Sequence, residues 1–322
     1  MIRSYISTIA FVMLASFLNA QQDPQFTQWY MDPVNCNIAA AGQSNLTNIN
    51  AFHRQQWVGF GDSRPVTTLL NVDTRFGESP FGIGVQFYQD DIGNESNTMV
   101  KIGPSYTFNP TSSGTKFSAG FSVSYFSKNF GNDDYWIAID DPASDNSIPT
   151  DGEGDATIDV DFGFFMKNSD KYYAGISTTH LLESAFNDLS IQPSRHYYLM
   201  GGYNFSLNGN DLILRTNFLA KSDIAATAID FNVNVLFVET VWAGVSYRHG
   251  DAVAPVVGYQ LRASQKDQIS SSEHFLRIGY SYDVTTSQLQ SYQDGSHEVF
   301  LSYGFQFLST PIQNKYANPR FL

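Results

Sequence analysis

Residues 157–178 read TIDVDFGFFMKNSDKYYAGIST. Ile158, Val160, Phe162, Phe164 and Met166 share one face of an extended strand. Asp159, Asp161, Gly163 and Lys167 share the other, with Phe165 as the exception. After the turn residues Asn168, Ser169 and Asp170, the apolar face resumes at Tyr172, Ala174 and Ile176. Side chains alternate across a strand, so this period of two marks a hairpin with one dry face. What the dry face meets decides the fold: a second sheet, a helix or lipid.

The same alternation recurs along the chain. Leu70 and Val72, Val85 and Phe87, Val100 and Ile102, Phe121 and Val123, Leu199, Leu214, Phe231 and Val233, Val245, Val257, Ile278 and Leu301 each lie in a further such segment. With a weaker first strand in NINAFHRQQWV, the count is about fourteen, each near the ~10 residues that a tilted bilayer-spanning strand needs. The opposite faces carry Asn71, Asp73, Gln86, Lys101, Ser122, Asp159, Asp161, Arg215, Asn217, Asp230, Asn232, Asn234 and Arg277. No stretch reads as a transmembrane helix; the most apolar one is interrupted by Asp230, Asn232, Asn234 and Glu239.

A sandwich and a membrane barrel both accommodate polar outer positions. The connections separate them. If the chain starts in the periplasm, odd-numbered connections face outward. The three longest, 129–155, 181–194 and 284–297, are all odd, whereas GESP, NSD, LNGN and VET are short and even. Outer-membrane barrels have long outer loops and short periplasmic turns, and a sandwich has no reason for this parity. ASQKDQISSSE, an even connection, is long for the pattern. The expectation is an all-β, transmembrane antiparallel outer-membrane β-barrel of about 14 strands.

Composition agrees. The 26 Phe and 18 Tyr outnumber the 18 Lys plus Arg, as aromatic girdles require. A net charge of −13 argues against nucleic acid as a partner. Arg3, the apolar run to Leu18 and Ala20 read as a signal peptide, and lone Cys36 has no disulfide partner. The chain then divides into the signal peptide 1–20, a segment 21–44 that is a lumen plug or a periplasmic segment, a barrel 45–308 and a periplasmic tail 309–322.

Chemistry-bearing motifs are sparse. Asp151, Glu153 and Asp155 have the 1-3-5 spacing of a calcium loop, but Ala156 and Phe162 stand where such a loop needs Gly and Glu. The acidic stretch 129–155 therefore reads as a solvated outer loop. His53, His180, His196, His249, His274 and His297 have no metal-ligand spacing. There is no nucleophile elbow or phosphate loop, so no catalytic, cofactor or metal site is expected.

Two stretches lie outside the strand pattern: QDPQFTQWYMDPVNCNIAAAG and the tail KYANPRFL. With AFHRQQWVGFGDSRPVTTLLNVDTRF they resemble the PorP/SprF family of type IX secretion system outer-membrane proteins. Asp23, Pro24, Phe26, Gln28, Met31, Pro33, Asn37, Ala39, Ala41 and Gly42 match its opening segment. Arg54, Gln56, Trp57, Gly59, Phe60, Gly61 and Pro65 match its first hairpin. Ile38 and Ala40 depart from the usual Pro and Tyr. The resemblance implies a non-enzymatic barrel of the secretion and gliding apparatus. It implies as partners a secreted adhesin or its C-terminal domain, other secretion components, a periplasmic peptidoglycan-binding protein and outer-membrane lipid. A diffusion porin is the competing class.

Arg54 is expected to point inward, since an Arg facing the lipid midplane costs roughly 2–4 kcal/mol. There it serves lumen carboxylates or a partner. Trp57 is expected in the outer aromatic girdle, on the face opposite Arg54 and Gln56. Phe26, Gln28, Trp29, Tyr30, Met31, Arg54, Gln56, Trp57, Arg320 and Phe321 are the candidate partner contacts, with the two chain ends on the periplasmic side.

Overall fold

The computed structural model describes residues 23–44, 46–109, 114–131, 154–169, 171–187, 189, 191–209, 211–266 and 271–306. The signal peptide, most of the acidic stretch, and Arg320 and Phe321 of the tail lie outside them.

Fourteen strands form the fold. The first seven are β1 (Thr47–Gln55), β2 (Val66–Arg75), β3 (Phe81–Ile92), β4 (Glu95–Phe108), β5 (Thr115–Phe130), β6 (Gly154–Asn168) and β7 (Tyr172–Thr179). The rest are β8 (His196–Asn208), β9 (Leu212–Ser222), β10 (Thr227–Phe237), β11 (Val241–Arg248), β12 (Ala252–Lys266), β13 (Ser271–Thr285) and β14 (Ser296–Phe305). Each pairs antiparallel with its sequence neighbours, and β1 pairs with β14, from Thr47 opposite Phe305 to Gln55 opposite His297. Closure leaves no unpaired edge, which is what a lipid environment demands of a sheet.

The alternation reads out as expected. Ile102, Phe121, Ile158, Phe164, Leu199 and Ile278 face outward and are exposed on the chain alone. Asn71, Ser122, Asp159, Asn232 and Asn234 are buried on the inner face. Ion pairs cross that face between Lys101 and Asp161 (2.6 Å) and between Arg248 and Asp230 (2.9 Å). Aromatics gather near the strand ends. Phe81 contacts Tyr106, Phe108 stacks on Phe117, and Tyr172 stacks on Tyr203 at one mouth. Tyr280 and Tyr282 contact His297 at the other.

The connections are unequal. Strands β5, β7 and β13 end, at Phe130, Thr179 and Thr285, at the mouth that the three longest connections leave; β2, β6, β8 and β10 end, at Arg75, Asn168, Asn208 and Phe237, at the mouth of the short turns. The one long even connection disappears, because β12 and β13 extend through most of ASQKDQISSSE and leave 267–270 between them.

Candidate functional site: a plugged lumen

The barrel is not hollow. Residues 23–44 run through it in three short 3-10 turns, Trp29–Met31, Pro33–Asn35 and Ile38–Ala40. Backbone outside a ladder must have its polar groups satisfied at membrane depth, and the segment's own turn bonds, such as Met31 N–H to the Gln28 carbonyl, share this with inner-face side chains.

The path starts at the mouth that carries the long connections. The carboxylate of Asp23 accepts from the Tyr198 hydroxyl (2.6 Å) and Thr179 hydroxyl (3.2 Å) and lies 3.2 Å from His180 Nε2. Lys221 donates to the Asp23 carbonyl. The N–H groups of Thr27 and Gln28 donate to Glu298 at 2.6 and 2.8 Å, and the Thr27 hydroxyl donates to Asp283 at 2.8 Å. Midway, Asn71 donates to the Asp32 carboxylate (2.9 Å) and Ser177 to the Cys36 carbonyl (2.6 Å). The Asn37 amide donates to the carbonyls of Phe164 and Ile176 while its oxygen accepts from the Ala39 N–H. At the short-turn mouth, Ser118 and Ser105 donate to the carbonyls of Ala39 and Ala41, and the Gly42 N–H donates to Asp73 (2.9 Å).

Apolar contacts fix the same path. Phe26 lies 5.1 Å from Phe52, and Phe52 lies 4.7 Å from Phe300, ring centre to ring centre. Phe165 stacks on Tyr173 within the cluster around the segment, so the exception in the quoted hairpin is a lumen residue with a partner. The segment needs a flat track: a Cβ on Gly120 would stand 2.8 Å from the Cα of Ala39. Ile38 and Ala40, the departures from the family pattern, are both buried here.

Charge outweighs burial where the segment begins. For Asp23, burial works to raise the carboxyl, but the neighbouring charges, His180 first, outweigh it and hold it well below its usual range. His180, despite burial, is lifted to about 10 by Asp23 and Asp159.

Each sequence-derived candidate has a definite place. Phe26, Gln28, Trp29 and Tyr30 are buried in the lumen and Met31 is half-buried against the same cluster. They pack as a plug and present no exposed aromatic face, because the inner wall offers them both apolar partners and hydrogen bonds. The starts of the first strand and the end of the last share the short-turn mouth, but Asp23 sits at the opposite one, since the segment traverses the lumen before β1 begins. Arg54 points inward as expected, 1 % exposed, with Asp283 at 2.7 Å and Glu298 at 3.2 Å. β1 ends at Gln55, so Gln56 and Trp57 do not continue its faces. The Gln56 N–H donates to the Pro65 carbonyl, and Trp57 (φ 55°) donates its N–H to Ser296 and contacts Phe60. Trp57 thus belongs to the first connection and not to a girdle on the strand face. Asp23, Asn37, Asp283 and Glu298 are site residues that the sequence reading missed. Among the described residues, no group of three or more His, Cys, Asp or Glu is placed to hold a metal ion.

The model of the type IX secretion system membrane protein PorP/SprF matches residues 18–303, which spans the segment and nearly the whole barrel. The chain belongs to the PorP/SprF family. It is therefore an outer-membrane β-barrel of the type IX secretion system. No curated protein matches it. Among solved structures, a Pseudomonas aeruginosa FadL homologue is 11% identical, with a TM-score of 0.43 over 81% of this chain and 89% of that one. The Acinetobacter baumannii outer membrane protein Omp33 is 8% identical, with a TM-score of 0.42 over 83% and 100%. A mutant of TodX, a monoaromatic hydrocarbon channel, is 10% identical, with a TM-score of 0.44 over 81% and 89%.

Proposed function

We propose that this PorP/SprF barrel is a non-enzymatic scaffold that supports export or surface retention of large surface proteins such as adhesins. Its partners in this reading are the client or its C-terminal domain, other type IX components and a periplasmic peptidoglycan-binding protein. The observation that carries the reading is the segment 23–44 seated through the lumen and hydrogen-bonded to the inner wall at both mouths. A diffusion porin needs that volume for solute. A scaffold gains rigidity from filling it. In this orientation the long connections lie outside the cell and meet the client, and Phe26, Trp29 and Tyr30 act by holding the barrel's shape.

Two measurements test the reading together. Cells lacking the protein should lose surface display of large clients, and expression of the wild-type chain should restore it. The purified wild-type protein in planar bilayers should show little conductance. Normal display in its absence would overturn the scaffold role. A large, steady conductance would return the porin.

A further inference from the structure

A cavity of about 320 Å³ lies at the mouth of the long connections, between the start of the segment and the wall formed by β3, β4 and β5. Its size falls within the ~300–1,000 Å³ usual for ligand pockets. The polar atoms left over in its lining are acceptors. Asn97 is 6 % exposed, and its amide N–H donates to the Glu95 carboxylate at 2.6 Å. A carboxylate only accepts, so the amide orientation is fixed and Oδ1 is left without a partner. His196 is 2 % exposed, and its Nδ1 donates to the Ser194 carbonyl at 2.9 Å. That makes Nε2 of the neutral ring an acceptor, again without a partner. Asp90 accepts from Thr67 (2.6 Å) and Tyr88 and forms no ion pair among the described residues. Asp90 and Asn97 are direct register partners on β3 and β4, so the two leave the same face side by side.

The cations of the chain do not serve these atoms. Lys101 and Lys128 line the cavity, but Lys101 is held by Asp161 (2.6 Å) and Lys128 by Glu95. His180 stands between Asp23 (3.2 Å) and Asp159 (3.5 Å). The stretch 132–153 of the outer connection lies outside the described residues; its sequence holds seven carboxylates and no Lys, Arg or His, so it brings no cation. Gln21 and Gln22, which precede Asp23, bring no cationic side chain either. Buried acceptors left without donors are costly. Tyr88, Phe126 and Tyr198 add aromatic faces to the same lining. A guanidinium group fits all of this: it is positive, it carries five N–H donors in a planar fork and no acceptor, and it stacks on aromatic rings.

We infer that this chamber binds a guanidinium group, supplied by an arginine side chain of a polypeptide outside the cell or by a free small guanidine, with Asp90 and Asn97 as its main contact. The inference does not rest on the scaffold role: binding is measured on the purified protein whether or not client display depends on it, and either can fail alone.

The test uses the full-length protein folded in detergent, with fluorescein-labelled Gly-Arg-Gly as probe and anisotropy as readout. The same peptide with lysine in place of arginine is expected to bind about fivefold more weakly, because an ammonium lacks the planar fork. Asp90→Asn is expected to weaken the arginine probe about tenfold, the worth of one hydrogen bond to a charged group. Met99→Phe narrows the cavity without touching a charge. It is expected to weaken the probe as well, and it serves if Asp90→Asn loses its folded gel mobility. Asp294→Asn, which neutralises an exposed acid of the last outer connection, is expected to leave binding unchanged. Unlabelled acetyl-Gly-Arg-Gly amide and methylguanidine are the competing arms: displacement at lower peptide concentration supports an arginine of a polypeptide, and displacement at equal concentration supports a free guanidine. No binding, binding indifferent to Asp90→Asn and Met99→Phe, equal binding of the lysine peptide, or an equal loss in Asp294→Asn would each overturn the proposal, the last two by reducing it to attraction of any cation to an acidic mouth.

Discussion

Replacing Arg54 by alanine tests whether the plug and the closing seam of the barrel are one structure. The guanidinium joins three strands and the segment: Asp283 on β13 at 2.7 Å, Glu298 on β14 at 3.2 Å and the Thr27 hydroxyl at 2.9 Å. Its removal is not a simple loss of contacts. Asp283 keeps Arg248 at 3.6 Å, but Glu298 keeps the N–H groups of Thr27 and Gln28 and the Gln28 side-chain amide and, among the described residues, remains a buried carboxylate without a cation within 4 Å. Breaking a buried pair in this way costs about 3–5 kcal/mol, far more than an exposed pair is worth. Urea unfolding of the protein in lipid vesicles, followed by tryptophan fluorescence, measures the loss. Replacing both sides, Arg54→Met with Glu298→Gln, should recover at least half of it, because neutral groups of similar size remove the uncompensated charge. A single variant within about 1 kcal/mol of wild type would show that the cluster is not sealed from water and would refute the reasoning.

Gly120→Val should unseat the segment while the barrel still closes, since a side chain there meets the Ala39 backbone; single-channel conductance above that of the wild type checks it. The anchor at the other mouth should work between its two titrations. His180, raised from 6.5 to about 10, contributes fully below 6.5 and is lost as pH rises through 10, whereas lowered Asp23 contributes above 3.8 and is lost as pH falls below it. Protease cleavage near residue 23 in folded barrels should therefore increase above pH 10, and His180→Gln should remove that increase.

The barrel was legible because its signal is local. Every strand meets lipid on one side and the lumen on the other, so the demand repeats with period two along the chain, and each turn reports its mouth by its length. Arg54 could be oriented for the same reason: a charge on the lipid face is costly wherever the strand stands in the ring.

The plug was legible only as one of two alternatives. Aromatics between prolines suit a docking face and a buried segment equally, and only the three-dimensional distance from Thr27 to Glu298, 271 positions apart in sequence, separates them. The signal that was present lay in the exceptions. Phe52, Phe165 and Phe300 are apolar residues on polar faces, and Gly84, Gly120 and Gly163 are missing side chains on the same faces. In an empty lumen such positions would face water. They make sense once an ordered chain lies against them.

Sequence alone determined the class of structure, the inner and outer face of each strand and the membership that the first hairpin announces, because these follow from a residue and its near neighbours. Tertiary structure alone decided that the segment 23–44 crosses the lumen from one mouth to the other, that Arg54 serves Asp283 and Glu298, and that Lys116 stands beside Lys167. Those facts depend on ring closure and on strand register, which bring together groups that no local period relates.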